Sequence, residues 1–230
     1  RYVRSTRVTD RSLVAPELSV VADPAGLLLT GLVNLDGAVA DAVWQRPFGG
    51  PNGDTSQIQA DVTLSPEFLT ALDVSLPPGT VSGAANGLLT IDLQQDQPPA
   101  FTLRSDLRGM QVAVPAVGWS KTPQEPASLL IEGRLGELPE IRNLEIEGGG
   151  LSAIGRITLA AGGGFESAIF QRVRIENWFD AEVRLQARGP GEPVGVEVLD
   201  GGWICDKPAL VGLIAVKAAG RSTCALMHCK

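Results

Sequence analysis

The sequence predicts an all-β chain: a long, twisted, antiparallel open sheet with one short helix. Three observations predict it: apolar and polar residues alternate with period two in several separate segments, turn signals part these segments at short intervals, and helical periodicity is confined to one stretch. Twist is the ordinary state of such a sheet.

The alternating segments come first. Ile58, Ala60, Val62 and Leu64 alternate with Gln59, Asp61 and Thr63. Leu89, Ile91 and Leu93 alternate with Thr90 and Asp92. Phe179, Ala181, Val183, Leu185 and Ala187 alternate with Asp180, Glu182, Arg184, Gln186 and Arg188, and Val194, Val196 and Val198 with Gly195 and Glu197. Each segment therefore has one apolar and one polar face, as in an antiparallel sheet that is wet on one side.

The turn signals are DPAG at 23–26, GGPNGD at 49–54, LPPG at 76–79, QDQPP at 95–99, GGG at 148–150 and 162–164, and RGPGEP at 188–193. Glycine, proline, asparagine and aspartate supply the backbone angles and local hydrogen bonds that turns require. The single helical stretch is SPEFLTALDV at 65–74. Ser65 is a good N-cap and Pro66 suits the first helical position, so one short helix is expected near 65–73, with Phe68, Leu69 and Leu72 on one side.

The chain also repeats itself. GLLLTGLVNLDG at 26–37 aligns with GLSAIGRITLAA at 150–161, and after a two-residue insertion AVWQR at 42–46 aligns with AIFQR at 168–172. A reading in three parts follows: residues 1–75 as the end of one β-repeat, 76–204 as the next, and 205–230 as an atypical tail foreign to the fold. Cys205, Cys224 and Cys229 and the sole histidine, His228, all lie in that tail, which carries four Lys/Arg against one acid in a chain of net charge -7. Their spacing fits no trusted metal-ligand pattern. The chain starts at Arg1, which reads as truncation, with any anchor or targeting segment lying outside it.

Composition narrows the function. Aromatic residues are 5% and hydrophobic residues 44%, mostly aliphatic, which suits a broad smooth apolar surface better than an aromatic-lined pocket. The acidic balance argues against nucleic acid, because phosphate neutralisation needs basic clusters. No run approaches the roughly 18–20 apolar residues of a membrane helix.

No histidine precedes His228 and no cysteine precedes Cys205, so nucleophile–histidine pairs and zinc–histidine sites are not expected in the patterned region. Glu145 and Glu147 share a strand face and form the one candidate carboxylate pair, although such acids more often solvate an outer face. GGGLSAIG at 148–155 lacks the Gly-Lys-Ser/Thr ending of a phosphate loop, and LDGAVAD at 35–41 has too few acids for a calcium loop. The expectation is a non-enzymatic chain with no catalytic residue, metal site or cofactor. Trp44, Trp119, Trp178 and Trp203 are expected to pack in the core or at a sheet edge. Arg46 and Arg172 recur in the repeat; a cross-strand charge pair is preferred for each, with contact to lipid headgroups as the alternative.

The order of motifs is distinctive. GLVNLDGAVADAVWQRPF at 31–48 is followed by QIQADVTLSPEFLTALDVSLPPGTVSGAANGLLTIDL at 57–93, then by LRSDLRGMQVAVPAVGWSKTPQEPASLLIEG at 103–133 and GGGLSAIGRITLAAGG at 148–163. This order resembles the AsmA-like proteins of Gram-negative bacteria, especially their YhdP-like branch, over roughly residues 26–204. The most specific stretch is 106–127, an Asp-Leu-x-Gly strand followed by an apolar segment and a Gly-Trp-x-Lys-Pro-like turn. Gly118, Trp119, Ser120, Lys121 and Pro123 match that turn, with Thr122 interposed.

The resemblance implies a β-trough with an apolar inner face, tethered to the inner membrane by a segment outside this chain and extending through the periplasm. It implies a role in moving phospholipid towards the outer membrane, with acyl chains as the partner and envelope proteins as further partners. Candidate groove residues are Ile58, Val62, Leu64, Leu89, Ile91, Leu93, Ile157, Leu159, Val183 and Leu185. The same residues would line an ordinary sandwich core. The alternative function is a periplasmic scaffold or assembly factor that adds β-strands of other proteins to its sheet edge.

Overall fold

A computed structural model describes residues 13–50, 55–72, 74, 76, 79–114, 119–136, 139–160, 164–189 and 194–200. The tail with its cysteines and His228, and Trp203, lie outside the described residues.

The chain forms an open antiparallel sheet of twelve strands, not closed into a barrel. Four strands open it: β1 (Leu13–Asp23), β2 (Gly26–Leu35), β3 (Ala38–Pro47) and β4 (Thr55–Leu64). After an excursion come β6 (Ala85–Gln94) and β7 (Ala100–Ser105). A second excursion leads to β10 (Ser128–Arg134), β11 (Glu140–Gly148), β12 (Leu151–Leu159), β13 (Phe165–Ile175), β14 (Phe179–Gln186) and β15 (Gly195–Asp200). Every strand pairs antiparallel with its neighbour in this order, so the large sheet is a meander with β1 and β15 at its edges.

Local chemistry sets the hairpins. Asp23 Oδ1 accepts from the backbone N–H groups of Ala25 and Gly26 at 2.8 and 3.0 Å, closing the turn from β1 to β2. Asp36 and Gly37, at φ 52° and 99°, form the two-residue turn from β2 to β3, and Asn34 Oδ1 accepts from Gly37 N at 2.7 Å. Positive φ at both central residues is what a two-residue hairpin of the right twist needs.

Both excursions fold back over the same face. The first holds α1 (Pro66–Ala71) and β5 (Val81–Gly83); the second holds β8 (Met110–Val114) and β9 (Trp119–Lys121). Strands β5, β8 and β9 pair in that order into a second, three-stranded sheet. The helix is the expected one, shorter at its C-terminal end: Ser65 Oγ accepts from Phe68 N at 3.2 Å, and Phe68 is buried while Leu72 is exposed.

The two segments with similar sequence occupy β2–β3 and β12–β13. Seven antiparallel steps separate β2 from β12, so they run in opposite directions in the sheet. The large sheet is continuous past residue 75, since β4 pairs with β6 from Thr55↔Gln94 to Leu64↔Ala85.

Candidate functional site: a two-faced twelve-strand sheet

Directly opposed residues in an antiparallel pair share a face, as do alternate residues along a strand. Following the pairing across the sheet therefore defines rows that run perpendicular to the strands. A middle row begins Leu18, Gly31, Ala42, Ala60, Leu89, Leu103 and continues Ile131, Leu144, Gly155, Phe170, Val183, Val198. It crosses all twelve strands without a polar side chain.

An outer row, two residues away along each strand and three along β11, where the register shifts between Ile141 and Leu144, is also apolar throughout. It begins Val20, Leu29, Trp44, Ile58, Ile91, Phe101 and continues Gly133, Ile141, Ile157, Ala168, Leu185, Val196. Eleven interstrand spacings of about 4.8 Å make each row roughly 50 Å long. An inner row on the other side runs from Val33 through Ala40 and Val62 to Ala153, Val173 and Ala181, with Ser105 its one polar member.

All ten groove candidates lie on this apolar face, since Leu64, Leu93 and Leu159 continue the same alternation. Their environments differ. Val62, Leu64 and Val183 are buried at 4%, 5% and 7% exposure, whereas Ile58, Leu89, Ile91, Leu93, Ile157, Leu159 and Leu185 are half-buried. For Val62 and Leu64 the burial comes from the small sheet and α1, whereas Val183 belongs to neither buried cluster. One buried cluster joins Val62 and Leu64 to Phe68, Leu107 and Met110, and a second joins Ala153 and Leu151 to Trp119 and Trp178. These elements roof the inner row and border the middle row. Neither cluster includes a member of the outer row.

The roof is held by a group that sequence reasoning treated only as part of a motif. Lys121 is fully buried, and its ammonium donates to the backbone oxygens of Leu107, Met110 and Thr122, each at 2.8 Å. Among the described residues no carboxylate forms a salt bridge with it. Burial pushes its pKa below the usual lysine value, against the opposing fields of Glu125 and Asp106. Glu125 in turn accepts from Thr122 N and Oγ1, both at 3.0 Å, which holds its carboxyl below the ordinary range. Trp119 Nε1 donates to Gly149 O at 2.6 Å and ties β9 to the hairpin between β11 and β12. The stretch 106–127 is therefore the one that fastens the roof.

The opposite face is polar and internally bonded. Gln57 Nε2 donates to Asp92 Oδ1 at 2.8 Å, Asn143 Nδ2 donates to Glu132 and Glu145, and Arg184 pairs with Glu197. Glu145 and Glu147, the carboxylate candidates, are exposed on this polar face. Among the described residues no group of three or more His, Cys, Asp or Glu side chains is arranged to hold a metal ion, and no helix is long and apolar enough to cross a membrane.

The two repeated arginines part company. Arg172 is the expected charge pair: its Nε donates to Asp180 Oδ1 at 2.8 Å and its Nη2 to Oδ2, lowering the Asp180 pKa. Arg46 departs from the expectation of a cross-strand pair. It faces Leu27 on β2, lies on the apolar face one step beyond Trp44, and its side chain makes no ion pair or hydrogen bond among the described residues. The difference has a backbone cause. Gln171 is an extra residue in β13, so the pairing jumps from Phe170 to Arg172 and turns Arg172 to the polar face. Strand β3 pairs without interruption and leaves Arg46 where the alternation puts it.

The sequence matches no protein-family model, and neither a curated protein nor a solved structure matches the chain.

Proposed function

We propose that this chain is a non-enzymatic, lipid-carrying segment of an AsmA-like envelope protein, with phospholipid acyl chains lying on the outer and middle rows. The observation that carries the reading is the outer row: twelve strands long, apolar in every position, and outside both buried clusters. An apolar face must be covered by something. Each methylene removed from water contributes about 0.8 kcal/mol, so acyl chains are an adequate cover. A row without polar side chains offers no strong binding point along its length, which favours sliding over capture. The periplasmic setting, the tether to the inner membrane and the transfer towards the outer membrane come with the family resemblance and form part of the proposal.

Native mass spectrometry of the purified chain, with lipid extraction, tests this. Co-purifying phospholipid is the expected result; lipid-free protein that does not take up phospholipid from vesicles would overturn it.

A second reading has its own support. Edge strand β1 exposes Val14, Leu18, Val20 and Val21 at 46–57%, and an apolar exposed edge is a template for strand addition. Tight binding of a β-strand peptide together with absence of lipid would favour a scaffold or assembly factor.

A further inference from the structure

Among the strand residues that the pairing places on the apolar face, Arg46 is the one charged side chain; the paired acids and the other paired arginines of the twelve strands all lie on the polar face. A guanidinium is costly to place beside an apolar surface unless it meets a partner or water. Arg46 is exposed and has no protein partner among the described residues. Its position is also specific. Arg46 follows Trp44 of the outer row by two residues on the same face, so it stands about 7 Å beyond that row, on the side away from the roof. Trp44 Nε1 is itself buried without a hydrogen-bond partner, a second donor left over at the same point.

We propose that Arg46 is a headgroup-binding residue that holds the phosphodiester of an anionic diacyl lipid while its tails lie on the outer and middle rows. The inference rests on the lipid-carrying reading and adds a headgroup preference to it. The chemistry is that of a charge-assisted hydrogen bond from a planar fork of donors to phosphate oxygens. An ammonium-bearing headgroup brings its own cation and gains less from Arg46. The chain is acidic overall, at net -7, and among the paired strand residues of this face Arg46 is the one charge that attracts an anion.

The test measures binding of fluorescent phosphatidylglycerol and phosphatidylcholine to the purified chain at low salt, for wild type, Arg46→Gln and Arg46→Lys. Wild type is expected to prefer phosphatidylglycerol by roughly three- to fivefold, the range of one partly exposed charge pair. Arg46→Gln should abolish the preference without weakening phosphatidylcholine binding, and Arg46→Lys should retain part of it. Inorganic phosphate at millimolar concentration should not release bound lipid; release would identify a free-anion site and overturn the proposal. Equal binding of both lipids to wild type, or a preference that survives in Arg46→Gln, also overturns it while leaving the lipid-carrying reading intact. Failure of both lipids to bind sinks both.

Discussion

Phe170 of β13 lies against Gly155 of β12 in the middle row: a Cβ added to Gly155 would stand 2.6 Å from Phe170 Cδ1 and 2.7 Å from Ile169 O. The aromatic ring thus covers a strand glycine and keeps the row apolar where no side chain fits. Gly133 and Phe101 repeat the arrangement in the outer row, with the ring 2.6 Å from the absent Cβ.

Gly155→Ala should therefore destabilise the fold by about 1–3 kcal/mol, the usual cost of overpacking, despite the better intrinsic backbone behaviour of alanine. Urea unfolding of the purified variant measures this. An unchanged midpoint would mean that the ring moves aside freely.

Lys121→Met should cost about 2–3 kcal/mol, because the buried carbonyls of Leu107 and Met110 and the part-buried carbonyl of Thr122 lose their donor. The local signature is a change in Trp119 fluorescence, since Trp119 and Lys121 share β9. Stability and emission equal to wild type would remove Lys121 from its place in the roof.

Ser65→Ala should cost about 1 kcal/mol through loss of the bond to Phe68 N. The effect is expected in hydrogen exchange of residues 68–72 before it is visible in the whole-chain midpoint. Unaltered exchange there would contradict the cap.

Acid should weaken the Arg172–Asp180 link. The Asp180 pKa is lowered by the hydrogen bonds from Arg172, so its contribution is complete above the unfolded-state value of about 3.9 and is lost as pH falls through the lower folded value. The Tm difference between wild type and Asp180→Asn should be larger at pH 6 than on acidification below about pH 4. A difference independent of pH would contradict the pair.

The faces of the sheet were legible in the sequence because a period of two survives any amount of twist. Alternation over 58–64, 89–93 and 179–187 is enough to place eight of the ten groove candidates, all but Ile157 and Leu159, on the apolar faces of their strands. The roof was not legible. Strands β5 and β9 have three residues each, too few to show a period, and they gain their order from packing on Val62, Leu64 and Ile146. Lys121 carries no local mark of burial, since a lysine in a turn-like stretch reads as surface. The fate of Arg172 hinged on one extra residue, Gln171, which flips the face of everything between two register shifts. Alignment of Arg46 with Arg172 missed that flip and assigned both the same partner chemistry.

Lipid is proposed to lie on one face of the sheet, along the outer row. Residues 90 and 91 are adjacent on β6 and point to opposite faces, opposite Thr102 and Phe101 respectively. A photoreactive benzoylphenylalanine placed singly at each position, irradiated with phospholipid vesicles, reads the two faces under identical conditions. Lipid adducts are expected from position 91 and none from position 90; equal labelling at both, or labelling at neither, would rule out lipid on the outer row.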